Sequence, residues 1–288
     1  MRLLAVPNWS FSVEPELLGA FRSAMDATGV QCHFAAGDID HNRTVTAFSG
    51  EAAAVDAALR RMAEAAFQVI DMATHQGVHP CVGALDVCPL IPLDPTPEGQ
   101  FEAKALAERL AADFAQTYDL PVFLYEHSER GRHEADLPSL RKGGYEGLAT
   151  RELRPDFGPK YPNARLGATI LGVRDFLIAL NVDLAHPEPA TARAIARTLR
   201  DVRQEGDTRL LGVRALGFPL RSRGQCQVSL NLTLPDLTPI DPVVEWIVQQ
   251  AAERAVDVAG TELIGVIRER DLATATHLRV DPAQIVRI

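Results

Sequence analysis

The chain has 288 residues, 47% of them hydrophobic, and a formal charge of −9, a globular composition whose acidity would repel a phosphate backbone. No stretch approaches the roughly 20 apolar residues that cross a bilayer, and four scattered cysteines (Cys32, Cys81, Cys88, Cys226) do not make a secreted disulfide scaffold. Nucleic acid and membrane are thus excluded as partners, and a cytoplasmic protein with reduced thiols is expected, the apolar part of its opening "MRLLAVPNWS" being too short for a signal peptide.

The first half predicts a strand at "RLLAV", a helix over 14–28, strands over 30–35 and 43–49, a helix over 51–70 and a strand at "ALDVCPLIP". Apolar residues in "EAAAVDAALRRMAEAAFQVI" recur at three-to-four spacing, as an amphipathic helix requires. A helix over 97–118 opens at a proline suited to a first turn and precedes the strand "PVFLY". From 137 to 165 periodicity lapses, and "RKGGYEGLATRELRPDFGPKYPNARLG" is dense in Gly, Pro, Asn and charge, which marks a functional loop or a linker. The pattern restarts with the strand "FLIALNVDL", a helix over 190–204, the strands "LLGVRALGF" and "QCQVSLNLTL", a helix over 242–256 and the strand "TELIGVI". The order β-α-β-β-α-β therefore occurs twice. The fold class expected is α+β, with two ferredoxin-like (split βαβ) subdomains over 1–173 and 174–288, an extra α-β pair on the first and a ligand cleft between them. A sheet edge on each lobe is compatible with a homodimer.

The densest chemistry lies in "HQGVHPCVGALDVCPLIPL". His75, His79, Cys81, Asp86 and Cys88 could be a zinc set, but Gly77 and Pro80 interrupt the helix that would give the histidine spacing its meaning. Alternatively, Cys81 and Cys88 are small buried hydrophobes and His75 is a loop residue satisfied by backbone groups. His79 differs, since "GVHPC" holds an imidazole between glycine and proline in a turn that opens onto a strand, a suitable seat for a general base. Upstream, "GDIDHNRTVTAFSG" sets Asp38, Asp40, His41, Asn42 and Arg43 at a strand entry, where Asn42 and Arg43 either grip a substrate carboxylate or belong to a tight, solvated turn. Asn181, Gln227 and Asn231 are amides in apolar strands and need hydrogen-bond partners, structural or ligand. Cys32, Trp9 and Trp246 are assigned to packing.

In the same order along the chain, "VPNWS", "DHNRTVTAFSG", "IDMATHQGVHPCVGALDVCPLIPL", "PVFLYEHS", "LRKGGYEGL", "PDFGP", "LGATILGVRDFLIALNVDL", "QVSLNLTL" and "GTELIGVI" resemble the motifs of the glutamate formimidoyltransferase family. The resemblance spans nearly the whole chain, without the cyclodeaminase domain that some members append. It implies transfer of the formimidoyl group of N-formimidoyl-L-glutamate to N5 of tetrahydrofolate, a co-substrate, in histidine breakdown, with no metal required. It puts the family's catalytic histidine at His79 and its folate-binding loop at Gly158, Pro159, Lys160, Tyr161, Pro162, Asn163, Ala164, Arg165, Leu166 and Gly167.

The chain departs from the family where "PNWSFS" replaces the usual PNFSEG and where Cys81 follows His79-Pro80 in place of arginine. A neutral cysteine cannot bind a carboxylate as a guanidinium does, so an anionic donor is expected to be held weakly unless another cation, with Arg43 and Arg165 as candidates, takes over. Two further readings stay open: a paralogue using another folate one-carbon species, such as 5-formyltetrahydrofolate with glutamate as acceptor, and a folate-binding module without turnover.

Overall fold

The computed structural model describes residues 1–12 and 14–288, and the chain divides into two units, Met1–Arg174 and Asp175–Ile288. Its class is mixed α+β. The first unit runs β1 (Arg2–Ala5), β2 (Asn8–Trp9), α1 (Pro15–Thr28), β3 (Gln31–Asp38), β4 (Arg43–Glu51), α2 (Ala52–Val69), β5 (Leu85–Pro92), α3 (Pro97–Tyr118), β6 (Val122–Leu124), α4 (Leu137–Leu140), α5 (Gly144–Leu148) and β7 (Thr169–Val173). Strands β1 and β2 form one interrupted central strand, antiparallel to β4 on one side and β5 on the other. Beyond β4 lies β3, antiparallel; beyond β5 lies β7 and then β6, both parallel.

Sequence periodicity explains the main helices. Val55, Ala58, Leu59, Met62 and Ala66 line one face of α2 at three-to-four spacing and are buried. The Thr96 hydroxyl caps α3 by accepting from the Gly99 amide at 3.1 Å. Helices α1 to α3 carry Phe21, Met25, Leu59, Met62, Leu106 and Leu110 into one core with Leu3, Phe48, Leu85 and Leu90 of the sheet.

A smaller core forms around Phe123 and Ile170, which alternate with Leu124 and Leu171 along β6 and β7 and so face the other way. It is covered by Leu140, Leu148 and Leu153 of the irregular segment. That segment is therefore not a linker; it packs on the first unit. A buried carboxylate pins it, since Asp156 Oδ2 accepts from the Leu124 amide at 2.7 Å and from His133 Nε2 at 2.8 Å. Strand β7 corrects the expectation that regular structure resumes only at "FLIALNVDL". All five residues of "TILGV" are buried, so no alternation betrays the strand.

The second unit runs β8 (Ile178–Leu184), α6 (Pro189–Gln204), β9 (Val213–Leu220), β10 (Gln225–Leu232), α7 (Ile240–Ala252) and β11 (Val258–Ile264), followed by the short parallel pair β12 (Ile267–Arg268) and β13 (Ile285–Val286). Its four-stranded sheet is antiparallel in the order β11-β8-β10-β9. Leu180, Val182, Val228 and Leu230 pack with Ile195 and Leu199 of α6 and Val243 and Ile247 of α7. Asn181, Asp183 and Gln227 fall between these positions, and Gln227 Nε2 donates to Asp183 Oδ1 at 2.7 Å. Trp9 and Trp246 are core residues, whereas Cys32 is exposed on the edge strand β3, contrary to its assignment to packing. All four cysteines are free, and among the described residues no helix is long and apolar enough to cross a membrane.

One buried charge ties the first unit together. Asp86, in the apolar strand β5, has no exposed surface. Its Oδ2 accepts from Arg43 of β4 at 2.6 Å and from Arg141, at the end of α4, and its Oδ1 accepts from Arg141 Nε at 3.2 Å and the Val82 amide at 3.0 Å. Burial alone would raise the carboxyl pKa, but Arg141 and Arg43 outweigh it and hold the group below the usual carboxylate range. Asp86→Asn should therefore destabilise the fold by about 3–5 kcal/mol, by leaving two guanidiniums without their counter-charge. Urea unfolding checks this. A folded-state pKa below the unfolded one means that this contribution is present above about pH 4 and is lost as acid titrates the carboxyl, a loss the Asn variant should lack.

Candidate active site

His79 sits on the 75–84 connection between α2 and β5, half-buried. Its Nδ1 lies 2.9 Å from the Pro80 carbonyl oxygen, which can only accept, so Nδ1 carries the proton and Nε2 keeps its lone pair. Burial, Arg43, Arg141 and His41 all disfavour the imidazolium and hold its pKa well below the ordinary value. The ring is thus a neutral base at neutral pH. His41 approaches it with ring centroids 5.8 Å apart.

The neighbours divide by role. Arg43 is bound on both sides, by Asp86 and by Asn8 Oδ1, which accepts from Arg43 Nε at 3.1 Å. Asn42 has a left-handed backbone and donates through Nδ2 to the Gln76 carbonyl at 2.9 Å, with His75 Nδ1 at 3.2 Å. Both side chains are engaged by the protein, Asn42 holding the histidine loop and Arg43 the buried carboxylate. Cys88 lies in the core and Asp86 is taken up by arginines, so two members of the zinc alternative are directed elsewhere. Among the described residues no three His, Cys, Asp or Glu side chains gather as metal ligands would. Burial, then Asp86, pushes the Cys81 thiol up to about 11, so it is neutral and supplies no charge. The cation that sequence reasoning missed is Arg141. The signal for it was Asp86 itself, an acid in an apolar strand whose two oxygens accept more hydrogen bonds than one arginine supplies there.

The 158–167 loop has two ends with different surroundings. Near Gly167 it meets the histidine connection: the Ala84 amide donates to the Leu166 carbonyl and the Ala168 amide to the Val82 carbonyl, both at 2.9 Å. Gly158 instead lies against the end of α3 with φ +85°, where a Cβ would collide with the Leu120 carbonyl oxygen. Asn163 is structural in its contacts, donating to the Tyr118 carbonyl at 3.0 Å and accepting from the amides of Arg165 and Leu166 at 3.0 and 2.9 Å. The Arg165 guanidinium caps α2, donating to the carbonyls of Phe67, Gln68 and Ile70. Lys160, Tyr161 and Ala164 are exposed, Pro159 and Pro162 half-buried, and Leu166 buried. Tyr145, from α5, donates its hydroxyl to the Ala164 carbonyl at 2.6 Å and so braces the loop from the side.

The sequence profile described as "Formiminotransferase domain, N-terminal subdomain" matches residues 2–174, and that of "Formiminotransferase domain" matches 179–286. A formimidoyltransferase-cyclodeaminase of Sus scrofa is 35% identical over 94% of this chain and 51% of its own length. Glutamate formimidoyltransferases of Thermoplasma acidophilum and Streptococcus pyogenes are 32% and 31% identical over 93% and 91% of this chain, and 88% and 87% of theirs. The chain thus spans about half the length of the formimidoyltransferase-cyclodeaminases and most of the length of the glutamate formimidoyltransferases. With both subdomain profiles matched in order, the chain belongs to the formiminotransferase domain family.

Proposed function

We propose that the chain transfers the formimidoyl group of N-formimidoyl-L-glutamate to N5 of tetrahydrofolate, giving 5-formimidoyltetrahydrofolate and L-glutamate. The names of the relatives support the reaction, and the His79 ring is the observation that carries it. N5 attacks the amidine carbon and sheds its proton to His79 Nε2; the C–N bond to glutamate breaks as that proton passes to the departing amine. The reaction needs positioning and one proton relay, which a single imidazole supplies. Arg43 and Arg141 make the imidazolium a short-lived, ready donor. The βαββαβ order and antiparallel sheet of the second unit support the ferredoxin-like reading, with the first unit the same plan extended by α3, β6 and β7.

For the folate we assign the exposed face of the 158–167 loop, through Lys160 and Tyr161, with Asn163 and Arg165 holding its shape. Arg141 is the cation nearest in role to the arginine that Cys81 replaces. Incubating the protein with tetrahydrofolate and formimidoylglutamate, and separately with 5-formyltetrahydrofolate and glutamate, tests the donor. Formimidoyl transfer in the first mixture is expected; turnover in the second alone would move the assignment to the paralogue.

His79→Ala should lower kcat by about 10²- to 10⁴-fold with folate affinity nearly unchanged. Since protonation disables the base and its pKa is depressed, the acid limb of kcat/KM should fall below about pH 6.5, the ordinary imidazole value. Tyr161→Ala should weaken folate binding by about two- to tenfold at unchanged urea midpoint, as loss of an aromatic contact does. Gly158→Val should instead lower the midpoint itself, by roughly 2 kcal/mol of stability, because it strains backbone and meets Leu120. Calorimetry beside denaturation separates the two.

A further inference from the structure

His41 is the imidazole next to the base that the transfer reaction does not use. It is buried, and its ring stands 5.8 Å from that of His79 at 49°. The two histidines are also joined through their main chains. The Val78 amide, one residue before His79, donates to the Asp40 carbonyl at 3.2 Å, and Gly77 packs so closely on the His41 carbonyl oxygen that a Cβ would collide with it. The 38–43 turn is thus the surface on which the His79 connection is laid.

The charged groups beside the two histidines differ. His41 shares its turn with Arg43, already paired with Asp86, and with two carboxylates, Asp40 and Asp38, whose Oδ1 accepts from the His41 amide at 2.8 Å. His79 feels the charges of Arg43 of β4 and Arg141 just after α4, with Asp86 of β5 offsetting only one of them; Cys81 beside it is neutral, and His75 is likewise held below its ordinary pKa by burial. A proton on the His79 ring meets burial and the charges of Arg43 and Arg141, whereas two carboxylates lie in the turn of its neighbour His41, so the two rings, 5.8 Å apart, compete unequally for it. We propose that His41 is a positioning residue for His79: it takes the first proton the pair binds as pH falls, and its charge then keeps His79 unprotonated, extending the range of the base into acid. The catalytic meaning rests on the transferase reading; the order of protonation does not.

The test is an NMR titration of the ring-labelled full chain from about pH 8 to about pH 4.5, across the imidazole range, with signals assigned from His79→Ala and His41→Phe. In the wild type His41 should titrate first. In His41→Phe the His79 midpoint should rise by about half to two pH units, the effect of a unit charge 5.8 Å away in media between water and a protein surface. Should the Phe variant not fold, His41→Asn replaces it. His79 taking the first proton, or a His79 midpoint unmoved in the variant, overturns the proposal. With formimidoylglutamate as donor, the acid limb of kcat/KM should move with the NMR midpoint while the plateau stays; a merely structural role would lower the plateau and leave the limb in place. A chain that turned over no formimidoylglutamate would refute the transferase reading, and the titration would still decide this one.

Discussion

A carboxylate with no access to water, set in the middle of an apolar strand, dictates much of its surroundings. Asp86 alone would cost several kcal/mol to bury, and so would either guanidinium. Together Asp86, Arg43 and Arg141 are tolerable, and their meeting joins β5, β4 and the end of α4 at one point. The register of β4 and β5 about β2 and the docking of the 137–148 region both have to satisfy that meeting. Two cations on one anion leave a net positive charge, and it faces His79.

That residual charge helps explain why a histidine flanked by so many polar groups stays neutral. Ordinarily a carboxylate near an imidazole raises its pKa and makes it an acid at neutral pH. Here the carboxylate is saturated by arginines, and the imidazole senses them instead. Pro80 completes the arrangement by accepting from Nδ1, which fixes the tautomer. The same field would favour an anion where it disfavours a proton.

Helices and half-buried strands were legible because their patterns are periodic. The three-to-four spacing of Val55, Ala58, Leu59, Met62 and Ala66 in "EAAAVDAALRRMAEAAFQV" suffices to place α2 and its buried face. The turn holding His79 was legible from Gly77 and Pro80, which forbid a helix. Strand β7 was not, because burial on both sides erases alternation, and neither were α4 and α5, too short to show a period. Spacing also cannot say what a polar side chain touches. Arg43 and Arg165 looked like equal candidates for a substrate carboxylate, yet one closes a buried ion cluster and the other ends a helix. Arg141 went unread because its partner, Asp86, lies far away in sequence.

The parallel pairing of β6 with β7 has a consequence for how this molecule can vary. A chain leaving one end of a strand and returning parallel beside it must travel the full height of the sheet, and the stretch from Leu124 to Thr169 is that return journey. The journey carries Arg141, the brace Tyr145 and the 158–167 loop, so the second partner of Asp86 and the loop proposed for the folate are written on a path that topology makes obligatory. Its lettering can be changed residue by residue. Its length cannot be cut away, for a chain that took a shortcut would have no route back to β7.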